Sequence, residues 1–226
     1  MQKQKIGIMG GAFNPIHYGH LLLGERAREQ FGLDKVLYMP LKKPPHKDLN
    51  EMASDVHRMK MIQLAIADNP YFELSTLELE RVGTTYTVDT VNYLTSHYPE
   101  KEYYFIIGAD SLFQFETWRN PGEILRLVHI LAATRNGILA LEMEEQAKYL
   151  EKKYHGAVDL IRFLTMDISS SSIRKRCGSE KSIKYLVPAE VEKYILDNNL
   201  YIISEDNADG TVFMKQLSIH TGLNSR

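Results

Sequence analysis

Apolar residues in this chain come in short runs separated by amphipathic stretches. Lys5-Ile6-Gly7-Ile8-Met9 is short, apolar and partly β-branched, which predicts a buried first strand of a parallel sheet. Leu21-Leu22-Leu23, Ala27 and Phe31 follow at the spacing of an amphipathic helix. Lys35 to Met39 reads as a second strand, Tyr71 to Ser75 as a third, Tyr103 to Ile107 as the clearest buried strand, and Val128 to Ala133 as another. Between them, Ser54 to Ile66 carries Met61, Ile62, Leu64, Ala65 and Ile66 on one face and is stopped by Asp68-Asn69-Pro70. Val88, Val91 and Leu94 give a second inner stripe, and Thr85 or Thr87 is the expected cap of that helix. Glu78 and Glu80 read as solvated charges with Arg81. Glu142 to Tyr154 is a charged helix, expected on the solvated outer face, and Leu160 to Met166 alternates and reads as extended. Alternating strands and helices predict an α/β fold.

At 226 residues the chain suffices for one α/β domain with a sizeable core. Its formal net charge of −2 argues against a general nucleic-acid binder, which would be basic. The single cysteine, Cys177, allows no internal disulfide and suggests a reducing compartment. No apolar run is long enough to span a bilayer, and the first strand begins too early to leave room for a signal peptide. The expectation is a soluble, cytoplasmic protein with no membrane partner.

The chemistry concentrates in Gly10-Gly11-Ala12-Phe13-Asn14-Pro15-Ile16-His17-Tyr18-Gly19-His20, a turn from the first strand into the first helix. In open α/β sheets, ligands bind at such turns. Two glycines let backbone N–H groups approach a phosphate. Pro15 fixes one φ. His17 and His20 are three residues apart, with Gly19 leaving room between them, and a helix beginning near Gly19 would set both imidazoles at an end that attracts anions. A histidine near a helix start is also a common surface or cap residue. A His-x-x-His pair can bind zinc, but no third ligand stands nearby. The turn matches neither G-x-G-x-x-G nor G-x-x-x-x-G-K-[ST]. Its weight comes from the conjunction of strand, Gly-Gly, Phe-x-Pro, His-x-Gly-His and helix.

Other stretches fall on the same edge. Pro40 to Lys47 is a stiff loop with three prolines and three lysines, readable as solvated surface or as phosphate-binding. Gly83 to Thr90 turns into a helix whose free N–H groups could bind a carboxylate. Gly108-Ala109-Asp110 directly follows a central strand, so Asp110 is a helix cap or a ligand contact. Trp118, the only tryptophan, lies in a loop-like segment where an indole could stack on a flat ring. Asp167-Ile168-Ser169-Ser170-Ser171-Ser172-Ile173-Arg174 sets hydroxyls and an arginine at a helix start, which suits a triphosphate, although serine runs are more often linkers.

Gly10 to His20 resembles the signature turn of the nucleotidyltransferase superfamily with the His-x-Gly-His motif. Pro44-Pro45-His46-Lys47, Thr85-Tyr86-Thr87, Trp118 and Ile168 to Arg174 resemble the bacterial nicotinate-nucleotide adenylyltransferases within it. The resemblance covers Lys5 to Ile202. It implies a Rossmann-like doubly wound parallel sheet with a small helical C-terminal cap, in a domain over residues 1–203. From Ser204 the resemblance fails: the tail over 204–226 opens with an acidic spacer, Glu205 to Gly210, that reads as disordered, and Met214 to Arg226 matches nothing in the family pattern.

It also implies roles. His17 and His20 are catalytic. Gly10, Gly11, Phe13, Gly108, Asp110, Ile168, Ser170, Ser171 and Arg174 bind ATP. Lys47, Thr87, Trp118, Arg119 and Arg135 bind nicotinate mononucleotide. Thr87 lies beside the nicotinate carboxylate and Trp118 stacks on the ring. Arg119 stands where the family often has Tyr, and Asn136 where it often has Pro. Mg²⁺ is expected on the ATP phosphates, no residue being assigned to hold a metal. The expected activity is adenylyl transfer from ATP to nicotinate mononucleotide. Pantetheine-phosphate adenylyltransferase, sharing the His turn, and a non-catalytic nucleotide sensor are the alternatives. The oligomeric state stays open, a homo-oligomer included.

Overall fold

The computed structural model describes residues 3–42, 52–134, 140–162 and 167–202. Six parallel strands form one sheet: β1 (Gln4–Gly11), β2 (Lys35–Pro40), β3 (Phe72–Leu74), β4 (Lys101–Ile107), β5 (His129–Ala133) and β6 (Val158–Ile161), in the order β3-β2-β1-β4-β5-β6. This is the expected doubly wound arrangement. The direction of winding reverses between β1 and β4, so the crevice for a ligand opens at their carboxyl ends, beside Gly10-Gly11 and Gly108.

Both faces of the sheet are covered. Along β4, Tyr103, Phe105 and Ile107 face one cluster while Tyr104 and Ile106 face the other, and all five are buried. The first cluster is closed by α4 (Thr87–His97), α5 (Ala109–Phe113), α6 (Pro121–Leu127) and α7 (Ala140–Tyr154). The second is closed by α1 (Tyr18–Phe31), α2 (Asp55–Ile66), α8 (Ser170–Gly178) and α9 (Ala189–Asp197). A four-residue helix, α3 (Leu77–Glu80), follows β3. Helices α8 and α9 form the expected C-terminal cap. Ile173, Val191 and Ile195 enter the second cluster, and His57 Nδ1 of α2 lies 2.9 Å from the Tyr194 hydroxyl of α9.

Helix α7 is more than a solvated face. Met143, Ala147 and Leu150, spaced i, i+4, i+7, are buried against β5 and β6 neighbours in the first cluster, and the charges occupy the other sides. Strand β6 starts earlier than the alternation suggested. Val158 pairs with Ile130, and its N–H donates to Glu151 Oε1 (3.1 Å). Neither Thr85 nor Thr87 caps α4: Tyr86 is the capping residue, without a side-chain bond, and Thr87 is the first residue of the helix. The tail over 204–226, and with it the end of the proposed domain, lies outside the described residues. No helix among the described residues is long and apolar enough to cross a membrane.

Candidate active site

In a parallel sheet each helix runs back against the strands, so helices that precede or follow a strand begin at the carboxyl edge. The starts of α1, α4, α5 and α8 therefore share one edge of this molecule. The residues singled out in the sequence sit on those starts.

Helix α1 begins at Tyr18, with His17 in the capping position and in extended conformation. The His17 N–H donates to His20 Nδ1 (3.3 Å), and the His20 N–H donates to the His17 carbonyl (2.9 Å). The two imidazoles stack with centroids 3.8 Å apart and planes 28° apart. Because Nδ1 of His20 accepts a backbone hydrogen, its proton resides on Nε2, which is left as a donor. Burial pushes the His17 imidazole down to about 4 and the His20 imidazole well below its ordinary value, with the neighbouring His17 adding to the latter. Both rings are therefore neutral at pH 7 in the free protein. Nδ1 of His17 is buried without a hydrogen-bond partner among the described residues. A Cβ on Gly19 would stand 3.0 Å from the His17 ring, so glycine at that position is what permits the stacked pair.

Phe13 adopts φ 44°, a conformation unfavourable for a non-glycine residue, and its ring is 1% exposed. The ring meets the edge of His20 (centroids 5.0 Å apart) and tilts on Tyr38 (5.8 Å). The Phe13 side chain, expected at the ATP, is thus core that supports His20, and only its backbone remains for a nucleotide.

The serine-rich motif reaches this turn directly. Ser169 caps α8, accepting from the Ser172 N–H (3.2 Å). Ser170 Oγ donates to the Pro15 carbonyl (2.9 Å), and Arg174 Nη1 donates to the Asn14 carbonyl (3.0 Å). The Ile168 carbonyl lies beside Gly19 at the start of α1. Ser171 is exposed and shares a hydrogen-bonding contact with Ser169 (Oγ–Oγ 3.2 Å). The motif is therefore a helix start, not a linker, and it is docked on the His turn.

Two braces of the turn have no sequence motif. The Arg58 side chain is completely buried. Its guanidinium donates to the Ala12 carbonyl (2.6 Å), the Leu41 carbonyl (2.7 Å) and Asp55 Oδ1 (2.6 Å). The visible signal was an arginine on the stripe that continues through Met61, Ile62 and Ala65. Asn14 is also buried, and its Oδ1 accepts from the Ala53 N–H (3.0 Å) and the Tyr201 hydroxyl (2.8 Å).

On the other side of the crevice, Gly108 caps α5, with no described atom within 4 Å of where a Cβ would stand, and Asp110 is exposed in the first turn. Trp118 follows a short 3-10 turn (Phe115–Thr117). Its indole is half-buried, tilted on Phe115 (5.2 Å) and edge-on to Phe105 (6.0 Å), so one face is core rather than free loop surface. The Arg119 guanidinium lies over the Tyr86 ring at 4.6 Å, which brings the Trp118 segment to the residue preceding Thr87. Glu78 is not a solvated charge: it is 4% exposed, with Oε1 accepting from the buried Thr90 hydroxyl (2.7 Å). Lys47 and Arg135 lie outside the described residues.

The family model described as cytidylyltransferase-like matches residues 8–176. A protein of Lachnoclostridium phytofermentans named a probable nicotinate-nucleotide adenylyltransferase is 43% identical over 199 residues, covering 88% of this chain and all of its own length. One of Moorella thermoacetica with the same name is 44% identical, covering 87% of this chain and 91% of its own. The fold is shared with the Plasmodium falciparum nicotinic acid mononucleotide adenylyltransferase solved in complex with NaAD, at TM-score 0.73 and 21% identity, covering 88% of this chain and 97% of that one. The His turn, the Ser-Arg helix docked on it and the reversal point of the sheet all lie within the matched span, and the chain belongs to the cytidylyltransferase-like family, as one of its nicotinate-nucleotide adenylyltransferases.

Proposed function

We propose that this protein transfers the adenylyl group of ATP to the 5′-phosphate of nicotinate mononucleotide, yielding deamido-NAD and pyrophosphate. The observation that carries this reading is the convergence of the α1 and α8 starts on one turn, with His17, His20 and Arg174 around it. Each helix start leaves N–H groups without intrahelical acceptors, which favours anions.

The acceptor phosphate is already anionic near neutral pH, so no general base is required. One of its oxygens bonds to the α-phosphorus as the bond to the bridging oxygen breaks, and that electron pair leaves on pyrophosphate. Negative charge builds on the α-phosphate and on the leaving group. His20 Nε2–H, the helix amides and Arg174 meet that charge. The imidazoles are neutral beforehand and become more basic as a polyphosphate approaches. ATP enters with Mg²⁺ on its phosphates. We propose that these phosphates are its main ligands. Lys47 and Arg135 are proposed on the mononucleotide phosphate, and Trp118 on its ring. The α4 start would offer donors alone to the ring carboxylate, and a carboxamide there leaves donors unpaired at roughly 1–3 kcal/mol each. We assign the reaction to the cytoplasm, the one cysteine being a free thiol.

Pyrophosphate release, measured with nicotinate mononucleotide, its nicotinamide counterpart and phosphopantetheine, tests the reading. The expected order has the nicotinate form first, by about tenfold or more in kcat/KM over the nicotinamide form. Release with phosphopantetheine alone would make the rival transferase the better description. ATP binding with no release from any acceptor would make the protein a sensor.

A further inference from the structure

We infer that Glu78, Thr90 and Arg81 are positioning residues that set the pyridine end of the acceptor site; this rests on the adenylyltransferase reading above. The Thr90 side chain is completely buried at the end of the first turn of α4. Its single hydroxyl proton goes to Glu78 Oε1 (2.7 Å), and its oxygen accepts from Arg81 Nη1 (3.3 Å). Arg81 also donates through Nη2 to the Asp89 carbonyl (3.0 Å) and lies 5.6 Å from the Tyr93 ring centroid. The Thr90 N–H donates to the Tyr86 carbonyl (3.2 Å), closing the first turn of the helix. The segment 82–86 therefore leaves from Arg81 and returns at Tyr86, and both ends are tied to one threonine.

Thr87 directly follows that tie. The Tyr86 ring carries Arg119 at 4.6 Å, so the cluster fixes the α4 start relative to the Trp118 segment. Lys42, two residues beyond β2 in the basic loop, donates to the Arg81 carbonyl and extends the same framework. The second oxygen of Glu78 is buried with no hydrogen-bond partner among the described residues. Burial raises its carboxyl from the ordinary value, while the Thr90 hydrogen bond and the Arg81 charge pull it back.

The test is steady-state kinetics of Thr90→Val, which keeps the side-chain shape and removes the hydroxyl. The expected result is a KM for nicotinate mononucleotide raised about tenfold, the KM for ATP within about twofold of wild type, and a smaller nicotinate-to-nicotinamide ratio of kcat/KM. Thr90→Ser should recover most of that ratio. Arg81→Met, at a half-exposed side chain, should give the same split and decides the matter if Thr90→Val does not fold. Equal losses for ATP and acceptor, or an unchanged ratio in Arg81→Met, would overturn the inference. If the wild-type protein itself releases no pyrophosphate with nicotinate mononucleotide, the functional reading fails, and the inference with it. A wild-type enzyme that prefers the nicotinate form, with variants that keep that preference, defeats the inference alone.

Discussion

The two walls of the crevice are held in different ways. The His turn is braced by bonds from distant parts of the chain: Ser170 to Pro15, Arg174 to Asn14 and Tyr201 to Asn14 span 155, 160 and 187 positions. A wholly buried arginine supports it from below. The acceptor wall is held over shorter spans, the longest being the 39 positions from Lys42 to the Arg81 carbonyl. Thr90 reaches Glu78 and Arg81 across 12 and 9 positions, and the contact between Arg119 and Tyr86 is an exposed cation–π pair. Charge developing on a polyphosphate is best met by dipoles that do not reorganise, which calls for the rigid wall. A flat ring sliding between an indole and a helix start tolerates a more adjustable one.

That contrast can be broken most sharply at His20. His20→Ala should leave the fold intact and lower kcat on the order of a hundredfold or more, with a smaller effect on ATP binding, as for loss of one charge-stabilising donor. Turnover within a few-fold of wild type, read by pyrophosphate release, would remove the electrostatic role of the turn. Arg174→Ala should act on one wall only. It loses a bond to the Asn14 carbonyl and a charge proposed to meet the triphosphate, so the KM for ATP should rise about tenfold while that for the mononucleotide moves much less. An effect confined to the mononucleotide would reverse the assignment of the walls.

Trp118→Ala should weaken both mononucleotides together by roughly tenfold or less, since aromatic stacking is worth ~1 kcal/mol and does not distinguish the ring substituents. A changed preference between them would give the indole a part in selection. The last effect concerns stability rather than turnover. His17 titrates near 4 in the fold, against about 6.5 when unfolded, so the unfolded chain binds more protons between those values. Stability should therefore fall as pH drops from 6.5 towards 4, by at most roughly 3 kcal/mol from this group, and be flat above. Denaturant unfolding at pH 4.5 and 7.5 measures it; His20, also held well below its ordinary value, adds a loss of the same sign, so His17→Asn should reduce the slope and not abolish it.

The sheet and the His turn were legible because their signals are contiguous. Buried parallel strands are apolar runs, and the residues from Gly10 to His20 do their work next to one another. The serine run became readable once its helix start was weighed with Arg174. Arg58, Glu78 and Thr90 were not legible as a site, since each acts through a partner elsewhere in the chain, and an acid between two leucines looks the same solvated or sealed. The inner face of α7 was hidden for a related reason: Met143, Ala147 and Leu150 are outnumbered by charges that face water. The sequence singled out Trp118 as an aromatic in a loop, but its half-burial on Phe115 depends on tertiary packing.

The long-range bracing of the His turn also bears on the order in which the protein can become active. A ribosome delivers Asn14 and Pro15 at the outset and Ser170, Arg174 and Tyr201 only after most of the chain has been made. Contacts of such high sequence separation form late, after the loops between them have closed. A nascent chain can therefore pair β1, β2 and β4 and still lack a finished nucleotide turn. Incomplete products of synthesis would carry the motif without the grip, and ATP would be engaged only by molecules whose last helices have docked.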